Sequence, residues 1–425
     1  MRKRILLALS LLLISSMVLS ACGTPAEEEK VTVSWWHITS DPGPHQDAWQ
    51  AMADAYMAEH PNVIIEITIL ENEAFKSKLP TVMQSGEPPD LFQSWGGGTM
   101  IEYAKAGLLK DITADVAGEW GDSIGAGALG VYAYDGVQYG VPWDMGAVGW
   151  WYNKDLFAQA GIDAPPTTWT EFLNDIQALK DAGITPIALG EGEKWPGHFY
   201  WVYLAVRLGG EEAFNAAYNR TGSFADSPFV EAGEKLQELI AMEPFQDGYQ
   251  GMGHNDSEAL IGNGEAAMLL MGQWAPQTMI ANSTSGEGIG DALGYFSFPA
   301  VEGGAGALTD VMGGGNGIIV GKNAEPEAVD FLRYLTNLEN QSTLAEIGAI
   351  IPVVSGAEAA LTDPNMVMVY EAVNAADYYQ LYYDQFMPPA VGEAVNDSVQ
   401  GLFAGTMSPE EVAQAIEAAA SAELD

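Results

Sequence analysis

Twelve tryptophans occur in this chain of 425 residues, and several stand beside a polar side chain: Trp36 with His37, Trp95 with Gln93, Trp143 with Asp144, Trp195 with His198, and Trp274 with Gln273. A flat ring next to a hydrogen-bonding group suits a ligand with apolar C–H faces and a rim of hydroxyls, as a pyranose has: the ring covers the face, and Asp, Asn, Gln or His meets the hydroxyls. Tyr378 to Asp384 is the densest aromatic cluster, Asp144 and Asp310 flank two proline-marked segments, and Asn316 follows the triplet Gly313 to Gly315. Packing explains other rings better. Trp49, Trp150, Trp169 and Trp201 fall inside periodic elements, and Trp35 alternates with Trp36, so Trp35 is expected inside and Trp36 toward a ligand. Both glycine triplets, 96–98 and 313–315, are expected as turns, and His198 as a loop residue.

Other chemistries find less support. The five histidines are too scattered to suggest a metal site, and no Gly-x-x-x-x-Gly-Lys-Ser/Thr loop exists to hold a nucleotide. No cofactor is expected. Glycoside hydrolysis needs two carboxylates about 5 to 9.5 Å apart, and among 58 acids spacing alone singles out no pair.

The elements that must position these residues alternate. Val31 to Trp36 and Asn62 to Leu70 read as strands around a helix over 45–60, a βαβ unit that implies a parallel sheet. A helix over 73–84, a strand over 89–95 and a helix over 99–106 follow. Beyond Gly146 come a strand over 148–152, a helix over 170–182 and a strand over 185–189. Thr168 with Glu171, and Ser408 with Glu411, have capping-box spacing, and Gly183 reads as a helix stop. Proline after a short extended run marks Tyr139 to Asp144 and Tyr295 to Ala300 as crossings between lobes; Ile350 to Ser355 is a third candidate. In such α/β sheets ligands sit beyond the carboxyl ends of the strands, where Trp36, Trp95 and Trp143 fall.

The first residues read as an address. Arg2 to Arg4 precede an apolar run from Ile5 to Val18, and Leu19-Ser-Ala-Cys22 resembles a bacterial lipobox. Residues 1–21 are thus expected to be removed. Cys22, the single cysteine, would carry the lipid, and 22–30 would be a tether. The location expected is extracytoplasmic, lipid-anchored on the outer face of a membrane. Sixteen Lys and Arg against 58 Asp and Glu give a formal charge of −42, which disfavours nucleic acid, anionic lipid and anionic ligands.

From Val31 onward the chain resembles the extracellular solute-binding proteins (family 1) that feed carbohydrate ABC importers, in the branch taking xylo-oligosaccharides and raffinose. The resemblance is carried in order by Trp36-His37, Asn62-Val63, Leu70-Glu-Asn-Glu73 and Gly86-Glu-Pro-Pro-Asp90. Gly96-Gly-Gly98, Tyr139-Gly-Val-Pro142, Trp151-Tyr-Asn-Lys-Asp-Leu-Phe157, Gly264-Glu-Ala-Ala-Met268, Gly272-Gln-Trp274, Asp384-Gln385 and Pro388-Pro-Ala-Val391 continue it. No single motif is specific; their order along nearly the whole body is.

The resemblance implies an α/β, two-lobe periplasmic-binding-protein-like fold of type II, with a helix-flanked sheet in each lobe and three hinge crossings. Residues 31–141 plus 300–351 would form the N-terminal lobe, and 142–299 plus 352–425 the C-terminal lobe. It further implies a monomer that closes on a mono- or oligosaccharide and delivers it to membrane permease subunits served by a cytoplasmic ATPase, without chemistry. The family pattern places a ligand-facing polar residue at Asn72 and singles out Tyr382 and Asp384. Together with Trp36, His37, Gln93, Trp95, Trp143, Asp144, Trp195, Trp274, Asp310 and Asn316, these are the expected contacts. An exported glycoside hydrolase, a surface lectin-like protein and a peptide or polyamine receptor are the alternatives.

Overall fold

Val33, Trp35 and His37 of strand β1 (Val31–His37) are buried in strict alternation, as a strand with one face on a core requires. The computed structural model describes residues 30–424; the signal segment and Cys22 lie outside the described residues. β1 pairs in parallel with β2 (Val63–Ile69) and β3 (Leu91–Ser94). Helices Pro44–Glu59 and Asn72–Ser85 make the crossovers. A small hairpin, β4 (Ala133–Tyr134) and β5 (Val137–Gln138), precedes β6 (Gly140–Ala147).

The second sheet has the order β10-β7-β9-β8, from β7 (Gly149–Asn153), β8 (Thr185–Ile187), β9 (Ala266–Met271) and β10 (Leu293–Phe296). β11 (Val311–Val320) then returns to the first sheet, antiparallel to β3 and to β6, and β12 (Tyr379–Leu381) pairs with its first three residues. Two large cores result. One is built on Trp35, Trp49, Val141, Ile318 and Phe331, the other on Trp150, Trp151, Trp169, Trp201, Met268 and Tyr383. The fold is the expected α/β two-lobe architecture.

Local signals explain the element ends. Both capping boxes form, Thr168 on helix Trp169–Asp181 and Ser408 on helix Pro409–Glu423, and Gly183 takes a left-handed φ of 73°.

The crossings differ in part. β6 runs through Pro142 on one edge of the sheet, where its missing N–H costs no ladder bond, and a register shift falls at Asn316/Gly317 opposite it. The chain changes sheet only after Ala147. Tyr295 to Ala300 is not a crossing: Tyr295 pairs with Trp151, and Phe298 lies in the second core. Arg207 holds this segment there. Its buried guanidinium donates to the carbonyls of Phe298, Pro299, Leu308 and Asp310, so the whole stretch is bound to the second lobe and the passage is made by β11. Ile350 to Ser355 runs beside β6 within the first lobe, with Met145 N–H donating to the Ile351 carbonyl. The third passage falls near Leu361, which packs against both cores. The two cores therefore divide the chain about ten residues later than 299/300 and 351/352. Gly313 to Gly315 is no turn either. It lies inside β11, where a Cβ on Gly314 would stand 2.4 Å from the Tyr382 ring.

Candidate ligand-binding site

The strands of the first sheet end at a cleft between the lobes with a volume of about 440 Å³. Lobe one supplies the loop Ile38 to Pro44 after β1, Glu71, Asn72 and Lys76 at the start of helix Asn72–Ser85, Trp95 after β3, and Trp143. Lobe two supplies Trp195, Phe199, His254, Trp274, Tyr382 and Asp384. The rings of lobe two form a continuous wall: Trp195 lies 6.3 Å from Trp274 and 5.5 Å from Phe199, which stacks on Tyr382 at 5.4 Å.

Strain and missing side chains set this wall in place. Lys194 holds a left-handed φ of 68° immediately before Trp195, the first residue of helix Trp195–Tyr218, a conformation a non-glycine residue adopts only when its surroundings compel it. The Trp195 indole N–H donates to Glu193 at 3.1 Å. Absence of a side chain at Gly314 lets Tyr382 lie flat on β11.

Eight of the expected contacts line this cleft: Asn72, Trp95, Trp143, Trp195, Trp274, Asn316, Tyr382 and Asp384. Five do not. Trp36 faces the opposite side of its sheet from Trp35, half-buried beneath Lys78 at 4.8 Å, because helices cover both faces and only strand ends reach the cleft. His37 is buried beside Trp35, its Nδ1 accepting from Thr39 N–H. Asp310 caps the turn before β11, accepting from Ala307 N–H at 2.7 Å.

Gln93 and Asp144 stand one layer behind Asn316. Gln93 donates to Asn316 Oδ1 at 3.0 Å, and Asn316 Nδ2 donates to Asp144 at 2.9 Å. The Asp144 carboxylate also accepts from the Gln273 amide and from Ile351 N–H at 2.8 Å. One buried carboxylate thus joins β6, β11 and the 350–355 segment that runs beside β6. Burial raises its pKa to about 6, against the pull of these donors.

Several lining residues carry no local signal in the sequence. His45 is half-buried, with its Nε2 buried and unpartnered and its ring 5.5 Å from Trp143, and burial lowers its pKa to about 3, so it stays neutral. Asp41 is pushed up by burial. His254 pairs with Glu193 at 2.6 Å; burial opposes its charge, but this bond and the acids Glu258 and Glu71 raise its pKa to about 9. Only the rule of strand carboxyl ends could have pointed to the 38–45 loop, and nothing local marks His254. His198, expected in a loop, is buried in helix Trp195–Tyr218, 3.7 Å from Asp384.

The cleft therefore offers aromatic faces from both lobes and a ring of hydrogen-bonding groups. Among the lining residues, His45 Nε2, Asn255 Oδ1 and Tyr382 Oη are buried without a partner. Buried polar atoms left unmatched are costly and call for a polar occupant. Among the described residues no group of His, Cys, Asp and Glu is arranged to hold a metal ion, and no helix is long and apolar enough to cross a membrane.

A two-lobe α/β protein with its cleft at the lobe junction can enclose a ligand by hinge closure. Residues 42–342 match the family model of bacterial extracellular solute-binding proteins, and the chain belongs to that family. A diacetylchitobiose binding protein of Streptomyces coelicolor is 26% identical over 316 residues, 73% of this chain and 71% of the relative. An uncharacterised ABC transporter extracellular-binding protein of Pyrococcus horikoshii is 27% identical over 388 residues, 86% of this chain and 83% of the relative. Among solved structures, one from work on xylan utilization by Caldanaerobius polysaccharolyticus has a TM-score of 0.86 at 27% identity, covering 91% of this chain and 99% of that one. A chitin oligosaccharide binding protein has a TM-score of 0.83 at 26% identity, covering 93% and 99%.

Proposed function

We propose that the protein captures a short oligosaccharide between its lobes and delivers it, unchanged, to the permease of an ABC importer driven by a cytoplasmic ATPase. The observation that carries this reading is the cleft lining: Trp95 and Trp143 of one lobe and Trp195, Phe199 and Trp274 of the other line it together with unpartnered buried atoms of His45, Asn255 and Tyr382. Pyranose faces stack on such rings while their hydroxyls meet the polar atoms. Relatives named for diacetylchitobiose and chitin oligosaccharide support the ligand class. The eight cleft-lining residues expected from the sequence, with Asp41, His45 and His254, are the contacts. Gln93 and Asp144 act behind them by fixing Asn316. The protein works as a monomer, held at the outer face of the membrane by lipid on Cys22.

The test is titration of the purified protein with xylo-, chito-, gluco- and galacto-oligosaccharides, followed by tryptophan fluorescence and calorimetry. Saturable binding to one series without new reducing ends is the expected result. Release of reducing ends would establish a hydrolase instead, and binding to none of the series would overturn the sugar reading. Cys22→Ala, with membrane fractionation and fatty-acid labelling, tests the anchor: the variant is expected unlabelled and free of the membrane.

A further inference from the structure

Lys76 occupies an unusual place in the cleft. It lies on helix Asn72–Ser85 of lobe one, and its Nζ stands 5.5 Å from the ring centroid of Trp95, in the same lobe. The same Nζ stands 5.6 Å from the ring of Trp195, in the other lobe. Both distances are within the roughly 6 Å over which an ammonium is held by the negative face of an indole. Among the described residues no other Lys or Arg lies over rings of both lobes.

The three parts are individually fixed. Glu73 Oε1 accepts from Lys76 Nζ at 3.0 Å and from Asn72 Nδ2 at 2.8 Å, which anchors the ammonium to its own helix. Trp95 meets Phe75 edge-on at 6.1 Å. Trp195 is bonded to Glu193 and packed on Phe199 and His254. If the lobes separate, the bonds to Glu73 and Trp95 travel with lobe one and only the contact with Trp195 is lost. Its attraction therefore counts in the closed arrangement alone, and a contribution confined to one of two states shifts the balance between them.

We infer that Lys76 is a positioning residue, a cation clamp between Trp95 and Trp195 that favours closure before a ligand arrives and holds both ring planes for it. The inference rests on the sugar reading for its effect on affinity but not for its effect on the empty protein. A clamp confined to the closed state slows ligand release more than it speeds capture.

Lys76→Met keeps the aliphatic stem and removes the charge, and Lys76→Arg keeps a cation able to lie over both rings. The purified variants are compared by small-angle scattering without ligand, by oligosaccharide titration, and by stopped-flow release. Lys76→Met is expected to enlarge the ligand-free radius of gyration. It should also weaken binding about threefold to thirtyfold, mostly through faster release. Lys76→Arg should restore both properties, and Trp195→Leu should reproduce the ligand-free expansion, which keeps the clamp testable if Lys76→Met proves unstable. Unchanged scattering of Lys76→Met would overturn the clamp. So would weakened binding that Lys76→Arg fails to restore, since that marks a direct ligand contact. If the wild type binds none of the sugars the functional reading fails, while the ligand-free scattering still decides the clamp.

Discussion

Replacing Asp144 by alanine tests whether β6, β11 and the 350–355 segment share one tie. The carboxylate accepts from Gln273, Asn316 and Ile351 N–H in a fully buried setting, and Asp144→Ala leaves all three donors facing a void. Each buried donor stripped of its partner costs about 1 to 3 kcal/mol, and relief from burying the carboxylate offsets part of the total, so a net loss of about 3 to 5 kcal/mol is expected. For a chain of this length that corresponds to about 4 to 6 °C in Tm. Calorimetry near pH 7.5 is suitable, since the group is ionised above its raised value of about 6. Asp144→Asn keeps one acceptor but turns an amide toward the other donors, and should fall between alanine and wild type. A Tm within about 1 °C of wild type together with lost sugar binding would refute this account and return Asp144 to the ligand contacts.

Two further outcomes follow from the same reasoning. Glu191 is buried with neither oxygen in a well-formed hydrogen bond, and burial, opposed only weakly by the Gly197 N–H, raises its pKa well above the ordinary 4.5. A carboxyl raised in the folded state lends stability that is full below its ordinary value and lost as pH rises toward the folded one, at up to about 1.4 kcal/mol per pH unit. Glu191→Gln should therefore match wild type near pH 4 and exceed its Tm increasingly as pH rises from the ordinary carboxyl range toward the raised folded value, and an advantage that shrinks with rising pH would contradict the assignment. At Gly98 an added Cβ would sit 2.0 Å from the Met387 carbonyl of the opposite lobe, so Gly98→Ala should strain the closed seam and weaken oligosaccharide binding about fivefold or more. Affinity within about twofold of wild type would show that the seam yields freely.

Local chemistry made much of the fold legible. Thr168 and Ser408 announced their helices because a capping box is complete within four residues, and Trp35 and Trp36 fell on opposite faces as strand alternation demands. What failed depended on distant partners. Tyr295 to Ala300 looked like a crossing because proline ends strands, yet its place is set by Arg207, whose bonds span about a hundred residues. Gln93 and Asp144 carry the right functional groups at the right strand ends, but Asn316, arriving on β11, stands between them and the cleft. His254 shows no signal at all, since its charge comes from Glu193 on another element.

The return of β11 to the first sheet also dictates an order of assembly. A chain that emerges from its amino terminus has β1, β2 and β3 available early, yet the strand that pairs β3 and β6, and the helices Pro326–Leu335 and Leu338–Glu346 that cover them, come only after the greater part of the second lobe. Until then the edge of β3 is open and the face of Trp35 bare toward Phe331, its eventual neighbour at 5.5 Å. The second lobe begins its sheet inside that wait, and the first cannot close its core ahead of it. Neither lobe is a segment that can be cut out and made alone, and the long interval before β11 arrives is where this sequence is most exposed to mispairing.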